Sequence, residues 1–173
     1  MHAQKLVGVN ASLAVPVTAL HTAATTIDTT GAIVWTLKGK SFTLAALTTE
    51  ATPTTDAVTG VAFLPVVGGG SVAGAYGYGS VFVLCRDSAK ASKVVQGSIV
   101  PLDSAGAFVG GRLPQFPELP DTLCPYAYVV CKAGNTAATA GWVFGTSNFS
   151  GVTGITLTVQ DVALGMPDRP QAS

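Results

Sequence analysis

Short runs of Val, Ile, Thr and aromatic residues, each soon closed by Gly, Pro, Asn or Asp, recur along most of this 173-residue chain. Punctuation that dense leaves no room for an amphipathic helix. No long window places apolar residues at three-and-four spacing between caps. Residues 47–57 (LTTEATPTTDA) and 88–93 (SAKASK) are weakly helical, and both read better as loops. What remains is a set of short strands. Residues 32–47 read as a hairpin turned near Lys38-Gly39-Lys40, where Gly39 can supply a positive φ. Further strands are expected at 60–67, 79–87, 93–103, 126–134, 141–147 and 154–164, with a second hairpin turned at residues 104–106. About eight strands at short, regular spacing predict an all-β fold: an antiparallel β-sandwich or a jelly-roll-like barrel. Residues 1–30 lack a clear period and read as an extended N-terminal arm, 31–164 as the sandwich domain, and 165–173 as a proline-bearing tail.

Charge is what sets this chain apart from an ordinary soluble domain. Charged residues make up 10% of it, against roughly 25% on average. So few charges cannot cover an isolated globule at ordinary surface density. The surface is either covered by copies of the chain or a partner, or it is a neutral Thr/Ser/Gly surface. Nine basic and nine acidic residues leave no net charge. Lys38/Lys40 and Lys90/Lys93 are the nearest thing to a basic cluster, so no phosphate-binding face and no nucleic-acid partner are expected. Residues 57–85 carry no charge, but seven glycines and Pro65 interrupt them, so two strands joined by a glycine loop fit better than a membrane span. Residues 6–24 loosely resemble a signal peptide. Asn10, Ser12 and Pro16 break the run and Lys5 alone flanks it, so the segment is expected to stay in the mature chain.

The segment LPQFPELPDTLCPYAYVVCKAG (residues 113–134) holds the strongest chemical hints. Cys124-Pro125-Tyr126 opens like a redox-active loop, but Ala127 stands where the second cysteine belongs. The β-branched and aromatic residues that follow predict a strand. On a straight strand Cys124 and Cys131 would face opposite sides, roughly 23 Å apart at about 3.3 Å per residue. With Cys85 they make an odd count, read as reduced, buried thiols of a cytoplasmic assembly route. Pro114, Pro117 and Pro120 repeat every third residue, as a polyproline connection crossing from one sheet to the other would. Phe116 and Leu119 on it face either the core or a neighbouring subunit.

No metal site is expected: His2 and His21 both lie in the arm, and no His or Cys pair has ligand spacing. No nucleophile elbow occurs, most acids sit in turn sequences, and the glycine run at residues 68–80 lacks the Gly-Lys-Ser/Thr of a phosphate loop. No cofactor and no enzymatic activity are expected. Tyr76 and Tyr78 would anchor the glycine loop on a neighbour, or the loop is free of partners. Trp35 and Trp142 read as core residues.

The stretches TTGAIVWTLKGKSFTLAA and SVFVLCRDSAKASKVVQGSIVPLD, and the run from residue 114 to residue 170, resemble a family of small tailed-bacteriophage virion proteins. The resemblance covers most of residues 28–171. It implies a structural role outside the phage capsid: a head decoration (cement) protein on the major capsid protein, trimeric by analogy, assembled in the host cytoplasm. No catalytic residues come with it. Contacts are then expected from Leu6, Val7, Val9 and Leu13 of the arm, by strand addition to neighbouring edges, and from Tyr76, Tyr78, Phe116 and Leu119. A phage tail or head-fibre module that stacks host glycans on Tyr76, Tyr78 and Trp142 is the alternative.

Overall fold

A computed structural model of the protein describes residues 10–14, 16–21, 25–163, 166, 167 and 170. Ten strands run through them: β1 (Ala11–Ser12), β2 (Thr18–Leu20), β3 (Thr26–Thr29), β4 (Ile33–Leu37), β5 (Lys40–Leu44), β6 (Glu50–Ala51), β7 (Tyr78–Arg86), β8 (Ser92–Pro101), β9 (Cys124–Ala133) and β10 (Ile155–Asp161). They form three antiparallel sheets, ordered β1-β4-β5, β2-β3-β6 and β10-β9-β7-β8, which pack on one another as an all-β sandwich. The described residues hold no α-helix, only a 3-10 turn at Val109–Gly111.

The four-stranded sheet is the centre of the molecule, and its inner strands are buried on both faces. On one face Phe82 and Leu84 of β7 and Val129, Cys131 and Ala133 of β9 meet Ile33, Trp35 and Leu37 of β4, Ile27 of β3, and the loop aromatics Phe63, Trp142, Phe144 and Phe149. On the other, Val81, Val83 and Cys85 of β7 and Tyr128 and Val130 of β9 meet Leu102, Phe108, Leu123 and Val162. A strand with two apolar faces loses the polar half of its alternation. That is why β7 and β9 appear in the sequence as unbroken apolar runs.

One irregularity decides which side chains share a face. Opposite the step from Leu84 to Cys85, β9 advances from Ala127 to Pro125, so Tyr126 is an extra residue. Such a bulge resets the two-residue period. Tyr126 and Ala127 both join the first face, and Cys124 and Cys131 therefore lie on the same face, not on opposite ones as a straight strand requires.

The hairpin at 32–47 forms as β4 and β5, closed by Lys38 (φ 50) and Gly39 (φ 77) between the paired Leu37 and Lys40. Two positive φ values in a two-residue loop make the type I′ turn that matches strand twist. The expected strands at 79–87, 93–103, 126–134 and 154–164 appear as β7 to β10. Those at 60–67 and 141–147 do not: the first contributes two bridge residues, Ala62 paired to Thr55 and Val66 paired to Trp142, and the second contributes Trp142 alone. Ala11–Ser12, Thr18–Leu20 and Thr26–Thr29 of the segment read as an arm take part in the domain's own pairing. β1 pairs with β4, and β2 pairs with β3, which pairs with β6.

The proline segment joins β8 to β9 within a single sheet and crosses over β7 to do so, not from one sheet to the other. Phe116, Leu119 and Leu113 pack down on the second face, with the Phe116 and Tyr128 rings 5.0 Å apart and edge-on. The crossing starts flush with the sheet at Gly97, where a Cβ would lie 2.2 Å from Gln115 O and 2.6 Å from Val81 Cγ1.

Candidate interaction surface

Two loops display apolar side chains to solvent, and both are held by hydrogen bonds from buried or framework groups. In the first, Asp56 is buried and its Oδ1 accepts from Val58 N (2.9 Å) and Thr59 N (3.0 Å), while its Oδ2 accepts from Gln96 N of β8 (2.7 Å). The Gln96 side chain then grips the far end: its Oε1 accepts from Leu64 N (2.8 Å) and its Nε2 donates to Leu64 O (3.0 Å). Phe63 anchors the loop from below, edge-on to Phe82 and Phe144. Between these fixtures Val58, Val61 and Leu64 stand 54%, 61% and 62% exposed.

The second is the glycine loop. Gly68, Gly69, Gly70 and Ser71 donate backbone N–H groups to the carbonyls of Ala138, Gly134, Ala137 and Asn135. The Asn135 amide donates back to Val72 O and Ala75 O. The glycines are there for close approach: a Cβ on Gly68 would lie 2.3 Å from Ala137, and one on Gly77 1.9 Å from Ala133 O. Val72, Tyr76 and Tyr78 remain exposed on this frame. Holding a contact residue in place beforehand lowers the ordering cost of binding.

The residues expected to make contacts do not gather in one place. Leu13 is half exposed beside β4, where its N–H donates to Val34 O (2.7 Å). Tyr76 and Tyr78 stand at the start of β7, and Phe116 and Leu119 are half-buried on the second face. Leu6, Val7 and Val9 lie outside the described residues. Val58, Val61, Leu64 and Val72 were not foreseen. The signal that could have found them is an Asp-x-x-Thr-Gly turn set among aliphatic residues, which marks a loop and not a strand.

Trp142 is buried among Phe82, Phe144 and Phe149, with its Nε1 donating to Asn148 O (2.9 Å). It is core, as is Trp35, and leaves Tyr76 and Tyr78 as the exposed members of the aromatic set proposed for glycans. The three thiols are free and buried. Burial pushes Cys124 up to about 12, against an opposing pull from the Thr36 backbone, and raises Cys85 and Cys131 as well. Thiols held protonated in this way are poor nucleophiles.

The most buried charge is Arg86, which forms a two-point pair with the Glu50 carboxylate, donates to Lys90 O (3.1 Å) and faces the Tyr126 ring at 5.4 Å. Burial alone would lower its pKa; the hydrogen bond and charge of Glu50, aided by Tyr126, outweigh that and raise it. The pair ties β6, and with it the β2-β3-β6 sheet, to the central sheet. Among the described residues no group of three or more His, Cys, Asp or Glu side chains is placed to hold a metal ion, and no helix is long and apolar enough to cross a membrane. Comparison with models of known protein families, with curated proteins and with solved structures finds no match.

Proposed function

We propose that the protein is a non-enzymatic structural component of a phage virion, a decoration protein that binds the major capsid protein lattice from outside and stabilises the head. The observation that carries this reading is the pair of pinned loops. Val58, Val61, Leu64, Val72 and Tyr76 are held out to solvent on a chain with only 10% charged residues. Rigid aliphatic and aromatic side chains on a charge-poor surface suit a permanent contact, whose core is depleted in charge. Copies of the chain are the second partner, and neither nucleic acid nor a membrane is involved. The buried thiols are compatible with assembly in the host cytoplasm.

The test uses capsids that lack the protein. Wild-type protein is expected to co-sediment with them and to raise the temperature at which they release DNA. Val61→Asp combined with Leu64→Asp is expected to weaken capsid binding tenfold or more, as loss of a contact centre does. These exposed sites leave the fold within about 0.5 kcal/mol of wild type. Absence of wild-type binding, or undiminished binding by the double variant and by Tyr76→Asp, contradicts the reading. The exposed Tyr76 and Tyr78 favour a second reading, a glycan-binding head-fibre module, which a glycan array checks directly.

A further inference from the structure

β10 is the outer strand of the central sheet, seven residues long, with the sequence ITLTVQD. Two bonds in register with the β9–β10 ladder fix which of its backbone groups face inward. Val162 N donates to Tyr126 O, and Gly134 N donates to Gly154 O. Antiparallel pairs alternate between bonded and non-bonded. Thr156, Thr158 and Gln160 therefore bond to β9, and the N–H and C=O groups of Leu157 and Val159 point away from the sheet. Those outward groups have no partner among the described residues. Ile155 N turns back to Val152 O, and the Asp161 carboxylate accepts from Thr18 N (3.0 Å).

The strand carries neither a Lys nor a Pro, the usual devices that keep an edge from pairing. Its side chains are sorted by face. Ile155, Leu157 and Val159 pack toward the first core, while Thr156, Thr158 and Gln160 form a polar row on the other side.

We infer that this edge is an interface for a second copy of the chain, β10 pairing antiparallel with β10 about a two-fold axis at Thr158. That centre overlaps the whole strand and satisfies three conditions together. Outward-pointing residues meet outward-pointing residues, with Leu157 opposite Val159 of the second copy and Ile155 opposite its Asp161. At the centre the apolar row continues into an apolar row, with Asp161 meeting Ile155 at either end, and the polar row continues into a polar row, with Thr158 opposite Thr158. The two Asp161 carboxylates lie at opposite ends of the junction, so no like charges face each other. The product is one continuous sheet running through both copies. It is a two-fold pair and not the trimer that the resemblance implies, and it is independent of what the apolar loops bind.

Thr158 is the position to change, because a non-bonded pair brings its side chains closest and the backbone of β10 is left intact. Wild-type protein is expected to sediment at twice the chain mass. Thr158→Lys and Thr158→Glu, each alone, set like charges opposite one another and weaken the pair roughly fivefold or more. Mixing the two restores it, and Thr158→Val leaves it unchanged. A monomeric wild type up to high micromolar concentration overturns the inference, as does an oligomer that neither charged variant weakens. Should the charged variants fail to fold, amide exchange of the wild type decides. Leu157 and Val159 must gain protection as concentration rises, and if they do not the inference fails.

Discussion

β8 and β10 bound the same four-stranded sheet, but they meet solvent differently. Along β8, Val94 O accepts from Ala57 N, Gln96 N donates to the Asp56 carboxylate, and Ser98 N donates to Gln115 O. Gln115 N donates to Ser98 Oγ in return. Along β10 the outward groups of Leu157 and Val159 have no such cover among the described residues. An open edge is a template for another strand, and natural proteins block it or use it. Here one chain does both. The covers on β8 also hold the apolar residues of the first loop in place, so closing that edge and displaying Val58, Val61 and Leu64 are one construction. Among the described residues the β10 edge carries no comparable display.

The comparison breaks most readily at Asp56. Asp56→Ala removes the acceptor for Gln96 N, Val58 N and Thr59 N and leaves donors without partners beside the half-buried β8. A loss of about 3 kcal/mol is expected, the range for buried hydrogen bonds to a charged group. Urea unfolding measures it. Self-association through β8, insensitive to Thr158→Lys, should accompany it. A variant as stable as wild type would show that the β8 cover is incidental.

Alkaline pH has a more even effect, because it acts on the sheet between the edges. Burial raises Cys85, Cys124 and Cys131 above the ordinary thiol value of 9.0. Above that value the unfolded chain releases thiol protons that the folded chain retains. Their stabilisation is complete below about pH 9 and is lost as pH rises toward about 12 for Cys124. The expected slope is about 1.4 kcal/mol per pH unit for each fully buried thiol. Urea midpoints from neutral pH to about pH 10 give the slope, and Cys124→Ala should reduce it by one thiol's share. A flat profile would mean that the thiols ionise freely in the folded state.

Much of the fold was legible because burial on both faces writes itself into composition. β7 and β9 are apolar runs with turn residues at each end, and the β4–β5 hairpin announces itself at Lys38-Gly39. Three features were not legible, each for a tertiary reason. The bulge at Tyr126 is set by how β9 pairs with β7, and nothing local reveals that it brings Cys124 and Cys131 to one face. Residues 60–67 have strand composition, but the Gln96 side-chain amide at Leu64 and single bridges at Ala62 and Val66 take the place of a full ladder. β1, β2 and β3 are two to four residues long, too short to show a period, so the segment holding them read as an arm. Of the contact residues expected from sequence, Tyr76 and Tyr78 stand exposed, while Phe116 and Leu119 cover their own subunit's second face.

The difference between the two edges is tested most directly by residue-resolved amide exchange at a concentration too low for self-association. Gln96 and Ser98 on β8 should be protected. On β10, Thr156, Thr158 and Gln160 should be protected while Leu157 and Val159 exchange at rates near those of open loops, giving a pattern that alternates along the strand. Uniform protection of β10 in the isolated chain, or rapid exchange at Gln96 and Ser98, would contradict it.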